Sequence, residues 1–216
     1  NERRSLLKFA SKTWESHFMG TSPGQQQFDL YKDGKLKLAA LTTDQLGWYQ
    51  AKNIVTVMAA IDQLQSQGFA IEEEHIRAGL ASVTTSTGLK GRWSVLQTQP
   101  LVIADTAHNE PGIKQLLEQV AQTPHAALHF VISVVKDKDI DKILALMPKN
   151  AIYYFSKASI PRGMEAVDLA EKASRHGLHG DVYPTLQDAY ANALTKADKK
   201  DMVLIGGSTF TVAELI

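Results

Sequence analysis

Short apolar segments alternate with amphipathic ones along the C-terminal part of the chain. Apolar positions at helical spacing predict helices over 112–121, 138–147, 163–176 and 185–197. Continuous apolar runs between them predict strands over 101–105, 127–133, 151–156, 179–183 and 202–206. A strand over 93–97 is predicted to precede these, across a turn at Gln99-Pro100. This alternation is typical of a parallel sheet with helices on both faces, so we predict an α/β fold with a Rossmann-like, mostly parallel sheet over residues 88–216.

The pattern before residue 88 is different. Helical spacing predicts helices over 4–17, 50–67 and 72–83, with Gly68 ending the second. Asp33-Gly34 lies between two apolar runs and predicts a β-hairpin. The polar stretch 84–88 is predicted to be a linker. Residues 1–87 and 88–216 are therefore expected to form two domains.

Composition excludes several classes of function. The chain has 23 basic and 23 acidic residues, so no bulk attraction to nucleic acid or to an anionic membrane is expected. It has no cysteine, which rules out disulfides and thiolate metal sites and fits a cytoplasmic protein. No apolar run reaches the roughly 20 residues of a membrane span, and no signal peptide is visible. The chain does not begin with Met, so the natural protein is expected to be longer.

Polar side chains collect where the predicted parallel strands end. They occupy 105–109, 133–139, 156–163 and 206–208. Ligands of open α/β sheets bind at the carboxyl ends of the strands, so these segments are the candidate site. Each also has a simpler interpretation. Asp105 fits a turn or helix cap, His108 a surface residue, 137–139 a solvated helix start, and 206–208 an ordinary loop.

The order of these motifs is more specific than any one of them. Gly91-Arg92 is followed by Asp105-Thr106-Ala107-His108-Asn109, Asp137-Lys138-Asp139, Pro161-Arg162 and Gly206-Gly207-Ser208. This order resembles the C-terminal part of folylpolyglutamate synthase / dihydrofolate synthase, a branch of the Mur ligase superfamily. Upstream, Gly47, Gln50 and Asn53 match a Gly-x-x-Gln-x-x-Asn element of the same family. The resemblance covers nearly the whole chain and is weakest over 1–40.

The resemblance implies an ATP-dependent ligase. Residues 1–87 would be the C-terminal part of a central ATPase domain, and residues 88–216 the Rossmann-like glutamate ligase domain. ATP would activate a carboxylate of folate or dihydropteroate as an acyl phosphate, and L-glutamate would attack it to form an amide. The small molecules expected are ATP, Mg²⁺, L-glutamate and the folate or dihydropteroate, and the whole enzyme is expected to be monomeric.

By the same resemblance, five residues have expected roles. Asn53 would contact the base region of the nucleotide, and Arg92 would lie near the phosphates. Asp105 would accept hydrogen bonds from ribose hydroxyls or fix Arg92. His108 would sit near the γ-phosphate or the incoming glutamate, and Ser208 is a candidate for the glutamate pocket. No residue of this chain is predicted to bind a metal, because the main Mg²⁺ ligands belong to the family's phosphate-binding half.

Two departures from the family pattern qualify this interpretation. No segment matches the phosphate loop Gly-x-x-x-x-Gly-Lys-Ser/Thr, so the chain is predicted to be inactive alone and to bind ATP weakly at best. Glu110 is inserted between Asn109 and Pro111, where the family has Asn-Pro. The alternatives are another amino-acid ligase of the superfamily, of peptidoglycan-precursor or cyanophycin type, and a non-catalytic nucleotide-binding module.

Overall fold

The chain was analysed as a computed structural model, which describes residues 7–136 and 140–216. It divides into two compact units, Asn1–Leu89 and Lys90–Ile216. Each unit has its own hydrophobic core. Among the described residues, no helix combines the length and the apolar character needed to cross a membrane.

The first unit is a three-stranded antiparallel sheet packed on a long helix. A short 3-10 helix precedes the sheet, whose strand order is β1-β2-β3. The core joins side chains of all three strands to those of the first two helices. The elements are β1 (Trp14–Ser22), β2 (Gln25–Lys32), β3 (Lys35–Thr43), α1 (Gln50–Ser66), α2 (Glu73–Ala81) and α3 (Val83–Thr87).

The hairpin and the long helix of this unit agree with the sequence prediction. Lys32 pairs with Lys35 across a two-residue turn, and Asp33 and Gly34 both have positive φ (50° and 73°). This is the geometry that the twist of a tight hairpin requires. Helix α1 spans most of 50–67, and Gly68 follows its last turn with φ of 93°.

Two segments of this unit have a different secondary structure from the one that the sequence suggests. The predicted helix over 4–17 is not formed in its described part, 7–17: only Ala10–Lys12 make a short 3-10 helix, and residues from Trp14 onwards form β1. Trp14 is 3% exposed and donates its indole N–H to Asp62 of α1 (2.8 Å), so its tertiary contacts override the local helical spacing. The stretch 84–88, predicted to be a linker, lies just before the boundary between the two units and is mostly helical. It falls mostly in α3, where the Thr87 hydroxyl donates to the Val83 carbonyl (2.6 Å), and Gly88 ends the helix at φ of 69°.

The second unit is a six-stranded sheet with helices along the chain between its strands. The predicted alternation of strands and helices is confirmed, with one additional C-terminal helix, α8, that the sequence prediction lacked. The elements are β4 (Ser94–Thr98), β5 (Leu101–Ala104), α4 (Glu110–Gln122), β6 (Leu128–Ile132), α5 (Ile140–Leu144), β7 (Ile152–Phe155), α6 (Ala166–Arg175), β8 (Gly180–Val182), α7 (Leu186–Lys196), β9 (Met202–Gly206) and α8 (Thr209–Leu215).

The strand order is β4-β5-β9-β6-β7-β8, and every pair is parallel except β4 with β5. Successive side chains of the central strands point to opposite faces, yet both sets are buried. Val131 and Ile205 pack with α7 and α8 on one face, and Phe130 and Leu204 are equally buried on the other. The predicted mostly parallel α/β sheet covered on both faces is therefore confirmed.

A buried polar network lies near the amino ends of β6 and β9. His129, 2% exposed, contacts the Tyr154 hydroxyl through Nδ1 (2.8 Å) and Asp201 through Nε2 (3.4 Å). Asp201 also accepts the backbone N–H groups of Ala127 (3.0 Å) and Asp198 (2.8 Å). The network connects the amino ends of two neighbouring strands, at the edge of the sheet opposite the candidate site.

Candidate functional site

The carboxyl ends of the parallel strands lie along one edge of the second unit. The segment 105–109 follows β5, 207–208 follows β9, and 133–136 follows β6, and these three strands are neighbours. The parallel register therefore brings together the motifs that the sequence placed at strand ends. Residues 137–139, which carry the Asp-Lys-Asp motif, lie outside the described residues.

Arg92 is held in a bend between Gly91 and Thr106. The Thr106 backbone N–H and hydroxyl both donate to the Gly91 carbonyl, at 3.0 and 3.1 Å. The Arg92 guanidinium donates to the same carbonyl (3.2 Å) and to the Thr106 hydroxyl. Thr106 is 6% exposed, whereas Arg92 is only half-buried. The bend therefore anchors a cation at the carboxyl edge of β5.

Gly91 is the residue type that this bend requires. Its φ is 74°, and a Cβ added there would lie 2.6 Å from Thr106 Cγ2 and 2.9 Å from Val212 Cγ1. Any larger residue would push the bend away from α8 or change the backbone before Arg92.

Asp105 holds the backbone on both sides of the site. It is 1% exposed, and its carboxylate accepts the backbone N–H groups of Trp93 and Ala107, each at 2.8 Å. Trp93 has a φ of 52°, which is unusual for a bulky side chain and stores strain. The carboxylate therefore stabilises a strained segment next to Arg92. Trp93 and Thr106 both belong to this arrangement, and the sequence analysis did not predict either of them as a site residue. The position of Thr106 inside the Asp-Thr-Ala-His-Asn motif was the available signal.

His108 is oriented by the same loop. Its Nδ1 lies 2.9 Å from the Thr106 carbonyl oxygen. A carbonyl only accepts, so Nδ1 carries the hydrogen. The ring is half-buried, which keeps it at the site surface. Arg92, Asp105 and His108 are thus brought together around Thr106.

Asn109 directly precedes helix α4, and its side chain is hydrogen-bonded to the backbone of the first turn. Its Oδ1 accepts the Gly112 backbone N–H (2.9 Å), which makes Asn109 the N-cap. The inserted Glu110 is the first helical residue and pairs with Lys114 (2.7 Å). The insertion is therefore accommodated in the first turn of the helix.

Ser208 lies at the end of the neighbouring strand. It is 3% exposed and its hydroxyl accepts the Phe210 backbone N–H (3.1 Å), so it caps α8. Gly207 before it has a φ of 89°, and an added Cβ would lie 2.8 Å from the Ser133 carbonyl. The turn after β9 thus packs closely against the end of β6.

The loops after β6 and β7 are tied together. The Lys136 N–H donates to the Arg162 carbonyl (3.0 Å), and Met164 donates to Val134 (2.9 Å). The Arg162 guanidinium stacks on the Phe210 ring, 5.0 Å from its centroid. The Pro-Arg motif therefore lies on the same edge as the Gly-Gly-Ser turn.

Asn53 belongs to the first unit and is the fourth residue of α1. Its Nδ2 donates to Gln50 Oε1 (2.8 Å). Four of the five predicted site residues thus lie at one edge of the second unit, and the fifth is on a helix of the other unit.

No metal site is evident in the described parts of the chain. Residues 7–136 and 140–216 contain no group of three or more His, Asp or Glu side chains that could hold an ion. The side chains of the edge supply donors instead, which suits an anionic ligand better than a divalent cation.

The fold and the site define a doubly wound α/β domain that presents cationic and donor groups at the carboxyl edge of its sheet. Residues 91–209 match the family described as "Mur ligase, glutamate ligase domain". The match covers more than half of the chain, and the chain therefore belongs to the Mur ligase family.

The relatives that follow show which branch of the Mur ligase family this chain resembles. The dihydrofolate synthase/folylpolyglutamate synthase of Escherichia coli is 32% identical over 167 residues, which are 76% of this chain and 37% of that protein. The structure of E. coli FolC in complex with DHPP and ADP matches with a TM-score of 0.75 and 26% identity, covering 94% of this chain and 45% of that one.

A bifunctional folylpolyglutamate synthase/dihydrofolate synthase with Mn, AMPPNP and L-glutamate bound matches with a TM-score of 0.72 and 26% identity, over 94% and 45% of the two chains. These likenesses confirm the predicted resemblance to the C-terminal portion of the folate ligases. The chain spans less than half the length of each of the three.

Proposed function

We propose that this chain is the glutamate ligase portion of an ATP-dependent enzyme that joins L-glutamate to folate or dihydropteroate through an acyl phosphate. The observation that carries the proposal is that Arg92 and His108 are both hydrogen-bonded to Thr106, next to the buried Asp105, at the carboxyl edge of the sheet. The structural relatives named above hold ADP, AMPPNP or L-glutamate. On this proposal, the first unit is the C-terminal part of the central ATPase domain.

Arg92 would neutralise phosphate charge. A guanidinium forks onto phosphate oxygens with two parallel hydrogen bonds, and phosphoryl transfer gains mainly from positioning and charge neutralisation. The Gly91 carbonyl and the Thr106 hydroxyl restrict the side chain before any ligand binds. Less conformational entropy is then lost when the phosphate binds.

His108 would act next to the reacting groups, near the γ-phosphate or the incoming amine of glutamate. The bond from Nδ1–H to the Thr106 carbonyl sets the tautomer and directs the other ring nitrogen, Nε2, away from the loop backbone. Asp105 would act indirectly. Both of its oxygens accept backbone N–H groups, which favours the role of fixing the Arg92 segment over the role of binding ribose.

Roles are also proposed for Ser208 in the second unit and for Asn53 in the first. The turn that carries Ser208 lies at the end of β9, between the ends of β5 and β6, where an amino acid would approach the reacting carboxylate. Asn53 would contact the nucleotide base. Residues 7–136 and 140–216 hold no cluster of three or more His, Asp or Glu side chains, and no step is assigned to Mg²⁺ within this chain. The chain is expected to be inactive alone, and its cytoplasmic location and monomeric state remain predictions.

The proposal is tested with the full-length protein, supplied with ATP, Mg²⁺, L-glutamate and either dihydropteroate or a reduced folate. We expect ADP release that depends on both acceptor and glutamate, and a product heavier by one glutamyl residue in mass spectrometry. Turnover only with a UDP-sugar peptide would assign the chain to another Mur ligase branch. Nucleotide binding without any turnover would favour a non-catalytic module.

A further inference from the structure

Helix α8 and the loop after β7 are joined at two points. Glu214 accepts the Ser159 backbone N–H through Oε2 (2.8 Å) and the Ser159 hydroxyl through Oε1 (2.9 Å). One helical turn earlier, the Phe210 ring contacts the Arg162 guanidinium, whose Cζ lies 5.0 Å from the ring centroid. Residues four apart lie on the same face of a helix, so Phe210 and Glu214 together face the segment 156–163. We call this segment the β7 loop.

The β7 loop is folded tightly on itself. The Ile160 N–H donates to the Ala158 carbonyl (2.7 Å), and the Gly163 N–H donates to the Ile160 carbonyl (3.0 Å). A Cβ added to Gly163 would lie only 2.7 Å from the Ala158 carbonyl oxygen, and the Ile160 side chain packs against the core of the sheet. Because the loop is this tight, contacts that hold Ser159 and Arg162 also fix the backbone between them.

Helix α8 is firmly attached to the sheet. Thr211 is 0% exposed, and its hydroxyl donates to the Ser133 carbonyl (3.1 Å). The Thr211 and Ser133 hydroxyl oxygens are also hydrogen-bonded to each other (2.6 Å). Val212, 2% exposed, belongs to the core beside the sheet. The helix is therefore fixed at the end of β6 and gives the β7 loop a rigid support.

Arg162 lies at a distance from Arg92 along the same edge. The strand order places the end of β7 three strand spacings from the end of β5, roughly 14 Å. On the proposed function, Arg92 meets the phosphates, so a guanidinium at the end of β7 serves a different anionic group, and L-glutamate brings two carboxylates. A ring contact uses the face of a guanidinium, whereas hydrogen bonds to a carboxylate use its N–H groups, so the two are compatible.

We propose that Phe210 and Glu214 are positioning residues, which hold the β7 loop so that the Arg162 guanidinium meets a carboxylate of L-glutamate. The inference rests on the proposed function. It adds two residues to the site that contact no substrate themselves and act through Arg162.

The test uses steady-state kinetics of the full-length protein, with L-glutamate and ATP varied separately. Phe210→Leu keeps an apolar side chain but removes the ring. We expect it to raise KM for L-glutamate about two- to fivefold, the effect of a cation–π contact at a partly exposed site, and to leave KM for ATP unchanged. Phe210→Tyr keeps the ring and is expected to match wild type. Glu214→Ala removes both bonds to Ser159 and is expected to raise KM for L-glutamate at least about fivefold.

A double variant separates positioning from a general structural effect. Arg162→Ala is expected to raise KM for L-glutamate, and adding Phe210→Leu to it is expected to raise KM no further, because an effect that acts through Arg162 disappears with that side chain. The matched controls are Phe69→Leu, at a 58% exposed ring, and Glu118→Ala, at an exposed position on α4. Both are expected to keep the wild-type KM values.

Should Phe210→Leu fail to fold, Glu214→Ala alone and combined with Arg162→Ala decides the question. An unchanged KM for L-glutamate, an equal rise in both KM values, or the same further rise in the Arg162→Ala background would overturn the inference and leave the proposed function standing. A wild-type enzyme without glutamate-dependent turnover would instead contradict the proposed function, and the inference would fall with it.

Discussion

Arg92 owes its position to residues that bind no ligand. Gly91 allows the bend, Thr106 closes it, and Asp105 holds the strained Trp93 backbone that follows. A change at any of these positions moves the guanidinium without removing it. For each substitution, the change in kcat therefore has to be compared with the change in the free energy of unfolding.

Replacing Arg92 or His108 by Ala in the full-length protein is expected to lower kcat at least about tenfold, or roughly 1.4 kcal/mol of transition-state stabilisation. On the proposed function, the physical reason is the loss of a positioned positive charge or of a hydrogen-bonding ring next to the phosphoryl group that is transferred. Arg92→Lys is expected to recover only part of the rate, because an ammonium cannot fork onto two oxygens. Steady-state kinetics with ATP and glutamate varied separately measure both effects.

Arg175→Ala is the control for these variants, because Arg175 is an exposed α6 residue that pairs with Glu171. Its kcat and KM are expected to match wild type. Wild-type rates in both Arg92→Ala and His108→Ala would remove the site assignment.

Asp105→Asn tests the structural role of the buried carboxylate. An amide supplies one acceptor, so one of the two N–H groups of Trp93 and Ala107 would face an NH₂ group. We expect the free energy of unfolding to fall by about 1–3 kcal/mol in urea. Asp198→Asn, at an exposed position, is expected to change it little. Equal stabilities for Asp105→Asn and wild type would mean that these two bonds contribute nothing net.

At the scale of elements, helix α4 begins at Asn109 in spite of the inserted Glu110. Asn109→Ala removes the acceptor for the Gly112 N–H and is expected to lower the free energy of unfolding by about 1 kcal/mol. Asn109→Ser keeps a capping oxygen and is expected to stay close to wild type. Chemical unfolding followed by circular dichroism measures both, and an Ala variant as stable as the Ser variant would exclude the capping role.

The hydrogen-bonded network of His129 and Asp201, at the amino ends of β6 and β9, predicts that the free energy of unfolding depends on pH. Burial opposes ionisation of Asp201. The backbone N–H groups of Asp198 and Ala127, with the His129 ring, outweigh burial and hold the pKa of Asp201 below its ordinary value of 3.8. A carboxyl group with a lowered pKa stabilises the fold above its ordinary pKa, and this contribution is lost as the pH falls through the folded-state pKa.

Asp201→Asn is therefore expected to be less stable than wild type near pH 7, with the difference shrinking as the pH falls below about 4. Urea unfolding at a series of pH values measures this. The control is Asp168→Asn, which changes an exposed carboxylate on α6. A difference that stays constant down to pH 2 would show that the charge of Asp201 is not the source.

At the scale of the whole molecule, the chain consists of two units with separate cores. The buried side chains of the first join β1–β3 to α1 and α2, and those of the second surround the six-stranded sheet. We expect residues 90–216, produced alone, to unfold cooperatively with native-like circular dichroism. The smaller unit, 1–89, is expected to be much less stable alone, since short chains bury a smaller fraction of their surface. An unfolded 90–216 fragment would contradict the independence of its core.

Local patterns were sufficient for most of the second unit. Continuous apolar runs and amphipathic segments depend only on neighbouring residues, and they located β5 to β9 and the helices between them. Local patterns failed where contacts with residues distant in the sequence determine the secondary structure. Trp14 has helical spacing with Leu7 and Ala10, but its pairing with Lys32 and its bond to Asp62 place it in a strand. Helix α8 is too short for periodicity to predict it.

The sequence by itself determined the alternation of strands and helices, the hairpin at Asp33-Gly34 and the set of polar residues at strand ends, because each is encoded within a few consecutive residues. Only the tertiary structure decided that Thr106 joins Arg92 to His108 and that Asp105 supports the strained Trp93. These relations depend on the strand order and on contacts between residues far apart in the chain, for which local periodicity carries no signal.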